Sequence, residues 1–283
     1  MALDEKDMHT ITMCGMSAGF SALFGTPITA AIFSMEVTSI GIMHYSALVP
    51  CVLSAIAAQM VTQQFGIAGE SFVLRGIPQL TTLGLARIIV LAALCALVSM
   101  LFCIIMHKVF YLYKRYTPNP YVKICLGGCL MLAITLLMGT SDYTSGGMEV
   151  VERAIGGEAF AGAFLIKILL TAICLGAGFK GGEIVPSFFA GATFGNVASK
   201  VLGLSPSFGA GVGMVAVFCG VTNCPISSIL LSLELFGAGG LLFFAMACAV
   251  SYMLSGYIGL YSEQKIIYSK TRTEFIDTKL SDE

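Results

Sequence analysis

A chain of 283 residues that is 57% hydrophobic and 11% charged, with a formal net charge of −1, cannot cover itself with a water-facing surface. Soluble domains carry about 25% charged residues, so most of this surface must face lipid. The near-neutral balance also argues against a polyanion partner, and no nucleic-acid-binding signal is present.

The chain starts with a polar stretch, Asp4, Glu5, Lys6 and Asp7, rather than a basic start leading into an apolar core, so no cleavable leader is expected. Apolar runs follow near 10–36, 39–63, 83–113, 121–140, 159–179, 184–203, 207–222, 225–236 and 238–260. Some reach the ~20 residues that cross a bilayer, while others are too short to do so alone. The short runs are expected as half-helices or re-entrant segments with their ends buried in protein. Gly or Pro interrupts nearly every run, and small residues let membrane helices approach closely. β-barrel alternation is absent. The expected class is therefore an all-α, polytopic membrane protein surrounded by lipid bilayer.

His107, Lys108, Lys114, Arg115 and Lys123 surround a Thr117-Pro118-Asn119-Pro120 turn, and short basic loops face the cytoplasm. Asp142, Glu149, Glu152 and Glu158 mark the opposite side, with Arg153 the one base nearby. The ten cysteines read as small apolar packers in a reducing setting. Cys125 and Cys129 sit four apart, but no His or second pair accompanies them, so neither a metal site nor a cofactor is expected. His9, His44 and His107 are widely spaced and no H-E-x-x-H occurs, so nothing marks an enzyme and no catalytic residue is assigned.

One unit occurs twice. Gly25 to Glu36 (GTPITAAIFSME) returns as Asn223 to Glu234 (NCPISSILLSLE), 198 positions later. Each copy has a Pro, then Ile and a hydroxyl residue, then an apolar run, then a Glu nine positions after the Pro. Pro27 and Pro225 read as first helical positions, with Thr26 and Asn223 the expected caps because Cys224 caps poorly. Glu36 and Glu234 close these helices about 13 Å later at ~1.5 Å per residue. An intramembrane carboxylate is a functional candidate by default. The favoured expectation here is structural, each Glu satisfied by a neighbouring helix N-terminus.

A second motif spans Gly176 to Ser187 (GAGFKGGEIVPS), a Gly-rich stretch opening an apolar helix at Pro186. Free backbone N–H groups at a helix N-terminus suit a dehydrated anion, and they bind weakly enough to release it. The rival reading is a tight turn without a ligand. A third motif, Ser255 to Ser262 (SGYIGLYS), places Tyr257 and Tyr261 just before the expected last helix. An ordinary interfacial Tyr is its plainer reading.

Together these motifs resemble the CLC family of chloride channels and halide–proton antiporters across essentially the whole chain. The resemblance implies an inverted-repeat helical bundle, a homodimer with one pore per subunit, and chloride or fluoride as the ion. Ser145-Gly146-Gly147 resembles a glycine-rich turn before a short helix. The family's anion-site motif falls on Gly182, Glu183, Ile184, Val185 and Pro186, and its coordinating tyrosine on Tyr261. Ile184 in place of the usual Phe resembles the fluoride-handling branch. Val37 stands where chloride antiporters carry a proton-relay Glu. The first-repeat counterpart of the Gly-rich motif is expected upstream of Met1, so the chain resembles the C-terminal two-thirds of a transporter. The alternatives are a fluoride-specific CLC exporter, or a non-conducting truncated fragment or accessory subunit. The implied organisation is 1–63 as the remainder of the first repeat, 64–260 as the second repeat, and 261–283 as a final helix and short cytoplasmic tail. The implied interface uses segments near 27–36, 45–62, 225–236 and 240–256, with outward apolar faces. A bacterial plasma membrane is the expected location.

Overall fold

The computed structural model describes residues 4–272 and 274–279. In chain order the helices are α1 Glu5–Phe24, α2 Pro27–Glu36, α3 Leu48–Gln64, α4 Thr82–Tyr116, α5 Pro120–Met138 and α6 Met148–Ile155. They continue with α7 Ala163–Gly176, α8 Ile184–Leu202, α9 Pro206–Thr222, α10 Pro225–Phe236 and α11 Leu241–Leu254. Tyr45–Gln64, which contains α3, together with α4 and α5, is long and apolar enough to span a membrane. The 10, 8 and 12 residues of α2, α6 and α10 are too few, as the short apolar runs implied.

The core centres on α8 and α9. Gly191 and Gly195 of α8 face Gly209 and Gly213 of α9 at backbone contact. A Cβ on Gly213 would lie 2.3 Å from the Gly191 carbonyl oxygen, and one on Gly195 2.2 Å from that of Gly209. Every residue from Ser207 to Thr222 is buried. Gly is required here because only a bare Cα lets two helices touch along their backbones.

The repeat is visible in three dimensions. α1–α2 and α9–α10 each turn through a left-handed residue, Gly25 at φ 70° and Asn223 at φ 59°, again 198 positions apart. The two short helices pack against each other head to tail. Glu234 accepts the N–H groups of Ile28 and Thr29 at 3.0 and 2.8 Å. Glu36 accepts those of Ile226 and Ser227 at 3.0 and 2.8 Å, and the Ser227 hydroxyl as well. Each carboxylate thus caps the other helix. The expected local caps are not made: Thr26 Oγ1 has no hydrogen-bond partner among the described residues, and the Asn223 side chain turns away to Gln264 and Lys270. The reason is chemical. A full negative charge buried at a helix N-terminus collects two N–H groups and the dipole together, which a hydroxyl or amide cannot match.

The symmetry is broken on α1. Gly15 is the repeat mate of Gly213, yet among the described residues neither Gly15 nor Gly19 has an atom within 4 Å of an added Cβ. Met8, Ile11 and Leu23 extend the same open face.

Residues 65–81 form an extended strap between the two halves. Glu70 N–H donates to Phe24 O at 3.0 Å and Phe72 N–H to Leu235 O at 2.9 Å. Gly69 lies on Gly25, where a Cβ on Gly25 would come within 2.4 Å of its Cα.

The expected final helix after Tyr261 does not form. Lys265–Tyr268 is strand β2, parallel to β1 (Ser39–Ile40) and antiparallel to β3 (Phe275–Lys279). The Ile266-Ile267-Tyr268 run favours a pleated, half-buried surface. It finds one on the edge left by Ser39 and Ile40. The expected tail residues 273 and 280–283 lie outside the described residues.

The outward apolar faces expected for an interface appear unevenly. α3 exposes Leu48, Val49, Leu53, Ile56 and Met60, and α11 exposes Leu242, Met246, Met253 and Leu254. α2 is buried among α1, α3 and α10, and α10 among α2, α9 and α11, so the two expose chiefly Ile28 and Ile226.

Candidate functional site at the start of α8

A cavity of about 970 Å³ runs between α1, the end of α2, the first turn of α8 and the C-terminal tail. Gly182, Glu183, Ile184, Val185 and Tyr261 all line it. Pro186 is buried in the helix turn behind them. Five of the six candidate positions, separated by up to 79 residues, therefore share one wall system.

The local geometry follows from the sequence. Glu183 occupies the N-cap position of α8 without a side-chain cap bond, and its carbonyl accepts the Ser187 N–H at 3.1 Å. The N–H groups of the first turn have no intrahelical acceptor, and Pro186 contributes none. What remains aimed past the helix start is a small set of backbone donors at the positive end of a dipole.

The turn beneath α8 is held by a residue that the motif reading passed over. Lys167 of α7 is 1% exposed, and its ammonium donates to Tyr143 O at 3.1 Å and Ser145 O at 2.6 Å. It also lies 5.1 Å from the centre of the Phe189 ring. Ser145 sits at φ 54°, a strained value for a residue with a side chain, which this clamp supports, and Gly147 at φ 77°, which glycine adopts freely. An added Cβ on Gly147 would strike Phe189 at 2.8 Å, so the turn rests directly on α8. A lone Lys inside the apolar run Ala163–Gly176 was the sequence signal for it.

The tail that carries Tyr261 is locked down by two polar residues. Gln264 is 3% exposed and donates to Val37 O at 2.9 Å and Thr222 O at 3.1 Å. Lys270 donates to Asn223 Oδ1, to the carbonyls of Tyr252 and Gly256 and to Ser255 Oγ, with its ammonium 4.3 Å from the Tyr252 ring centre. Acceptors only, at the C-terminal end of α11, match a cation there. Neither residue belongs to a motif.

Glu36 and Glu234 stand apart from the cavity wall, bound in the α2–α10 pair with Pro27 and Pro225 at its helix starts. Val37 does line the cavity, and its side chain cannot carry a proton.

Two histidines far apart in sequence meet at the cavity. His9 of α1 and His44 after β1 have ring centres 5.4 Å apart at 63°, and both line it. Ser39 Oγ is 3.4 Å from His44 Nε2, longer than the about 2.6–3.2 Å of a nucleophile–base pair. Burial and the neighbouring His9 lower the pKa of His44. No sequence spacing connects His9 to His44, because the chain turns twice between them.

Comparison with known proteins places these features in context. The family model described as voltage gated chloride channel matches residues 1–256. A chloride/fluoride channel protein of Pseudomonas syringae pv. tomato is 34% identical over 274 residues, which cover 95% of this chain and 61% of that protein. An H(+)/Cl(-) exchange transporter, ClcA, of Vibrio cholerae serotype O1 is 28% identical over 206 residues, 68% of this chain and 42% of that one. The crystal structure of a CLC-type fluoride/proton antiporter aligns with a TM-score of 0.87 at 30% identity, covering 91% of this chain and 65% of that chain. A slow cyanobacterial Cl−/H+ antiporter shares the fold at a TM-score of 0.72 and 20% identity. The chain spans about 61% of the Pseudomonas relative's length.

Proposed function

The chain belongs to the voltage-gated chloride channel (CLC) family, and from that premise we propose that it carries the anion path of a CLC-type transporter, moving chloride or fluoride past the first turn of α8. One observation supports this above the others. Gly182 to Val185 and Tyr261 border a single cavity at a helix start whose backbone donors have no partner within the helix. Such donors bind an anion without the trapping strength of a buried cation.

Fluoride is the better-supported ion. Ile184 stands at the anion motif, and proteins described as a chloride/fluoride channel and a fluoride/proton antiporter are among its relatives. Ile184→Phe is expected to move the fluoride-to-chloride permeability ratio toward chloride, and an unchanged ratio counts against this reading. Proton coupling through residue 37 is chemically barred by Val37.

The open face of α1 bears on how the path is walled. Its repeat mate on α9 is covered by α8 at backbone contact. By the same geometry, a helix with small residues four apart fits over Gly15 and Gly19 and completes the first repeat. In this reading residues 1–63 belong to the first repeat and 64–260 to the second. The apolar faces of α3 and α11 serve a twofold contact between two copies, in a bacterial plasma membrane.

The test is efflux of fluoride, read by electrode, and of 36Cl− from loaded liposomes containing the purified chain. Selective anion efflux is the expected result. Zero efflux from a folded protein supports the second reading, a non-conducting accessory subunit, which the uncovered α1 face favours.

A further inference from the structure

We propose that His9 and His44, together with Ser39 and Lys265, form a proton-dependent docking site for a small halide at the rim of the cavity, separate from the backbone donors of α8. The proposal extends the anion-transport reading for its physiological use, but its binding test does not require transport.

The site is assembled by three elements. α1 brings His9, the turn after β1 brings His44, and the β1–β2 pair brings Ser39 and Lys265. Ser39 and Lys265 are direct partners in the parallel register, so their side chains are neighbours on the sheet. Ser39 Oγ lies 3.4 Å from His44 Nε2, which links the lysine side of the site to the imidazole side. Thr38, which also lines the cavity, keeps a buried hydroxyl without a hydrogen-bond partner among the described residues. A buried hydroxyl in that state is an available donor.

The charges around the pair leave room for an anion. Lys265 is the basic neighbour from β2. Glu263, the acid lining the cavity beside it, is engaged by Lys279 across the hairpin at 2.9 Å. Glu36, at the end of α2, is consumed by the N–H groups of Ile226 and Ser227. Asp4 and Asp7 are exposed at the start of α1. Glu183 and the Tyr261 phenol line the same cavity from α8 and the tail.

Two imidazoles at 5.4 Å repel each other once both are charged, and a halide beside them relieves that repulsion. Burial and His9 already lower the pKa of His44, so a charge on its imidazole is disfavoured until the pH falls or an anion arrives beside it. Halide binding and protonation are therefore linked: each must favour the other. The site collects its ion as the pH falls and releases it toward the cavity as the pH rises.

The experiment is an NMR titration of the histidine C2 protons of the full chain in lipid nanodiscs, from pH 8 to 5. Sodium chloride, sodium fluoride and sodium gluconate are compared at equal ionic strength. His107, on α4 and outside the cavity lining, is the internal reference. The expected result is an upward move of the His9 and His44 midpoints in both halides relative to gluconate, by about 0.3 at a halide concentration equal to the dissociation constant. His107 stays in place, and His44→Gln abolishes the response of His9. Equal midpoints in all three salts overturn the proposal. So does an equal shift at His107, which indicates general screening, and so does a pair that ignores halide but is broadened by stoichiometric Zn2+, which indicates a metal site. If liposome efflux fails while the halide shift persists, the docking site stands and the transport reading falls. If efflux is present and the midpoints ignore halide, the reverse holds.

Discussion

Glu36 accepts the backbone N–H of Ser227 at 2.8 Å, and Glu234, 198 positions after Glu36, accepts that of Thr29 at the same distance. The two halves of the chain are thus joined by an exchange of caps between α2 and α10. Each carboxylate answers an N-terminus that its own helix does not supply. Glu36 is the more deeply enclosed, at 8% exposed, and also receives the Ser227 hydroxyl. Bonds to a charged acceptor are worth about 1.5–3 kcal/mol each. Glu36→Gln is therefore expected to destabilise the protein by roughly 2 kcal/mol or more, and Glu234→Gln by less. Thermal unfolding in detergent checks the order. Equal midpoints for wild type and Glu36→Gln would contradict the capping account.

The broken symmetry between α1 and α9 gives opposite outcomes for one substitution. Gly213→Ala places a methyl group 2.3 Å from the Gly191 carbonyl oxygen and forces α8 and α9 apart. Overpacking of this kind costs about 1–3 kcal/mol or more. Gly15→Ala meets open space and should stabilise α1 by up to about 1 kcal/mol through helix propensity alone. Melting curves of both variants settle the pair; a loss of stability in Gly15→Ala would show that its face is already covered.

Tyr261 is held over the cavity by the tail, and Tyr261→Phe removes one hydroxyl from the wall. Loss of one hydrogen bond of about 0.5–1.5 kcal/mol corresponds to anion binding weakened roughly two- to thirteen-fold. Isothermal titration with fluoride and chloride reads this directly. Unchanged affinity removes the phenol from the site.

The same tail depends on Lys270. Lys270→Met leaves Asn223 Oδ1 and the carbonyls of Tyr252 and Gly256 without their donor. The β2–β3 hairpin should then open more often and be cleaved about ten-fold faster by limiting protease, as for a loss of about 1.4 kcal/mol of local stability, with cleavage confined to residues after Tyr261. If the cleavage rate stays at the wild-type value, the lysine is not what fastens the tail.

Much of the candidate site was legible in the chain because its signals are local. Gly182-Glu183-Ile184-Val185-Pro186 announces a helix start with free donors, since Gly frees the backbone and Pro lacks an N–H. The tail misled for a related reason. A segment after a Gly-rich turn in a helical chain reads as one more helix, but Ile266-Ile267-Tyr268 had a strand edge at Ser39 and Ile40 to join. Pairing with a distant edge is not encoded in either segment alone.

By itself, the amino-acid order determined the apolar class, the duplicated Pro-to-Glu unit and the start of α8, because hydropathy, Pro and Gly act within a few residues. It also implied that a buried carboxylate needs donors, without naming them. Only the tertiary structure decided that Glu36 and Glu234 trade helices, that Lys167 clamps the Ser145 turn and that Lys270 binds the tail. It likewise brought His9 to His44 across 35 positions. These are meetings of charges and donors from separate elements, and their energies exist only where packing has removed water and fixed the distance.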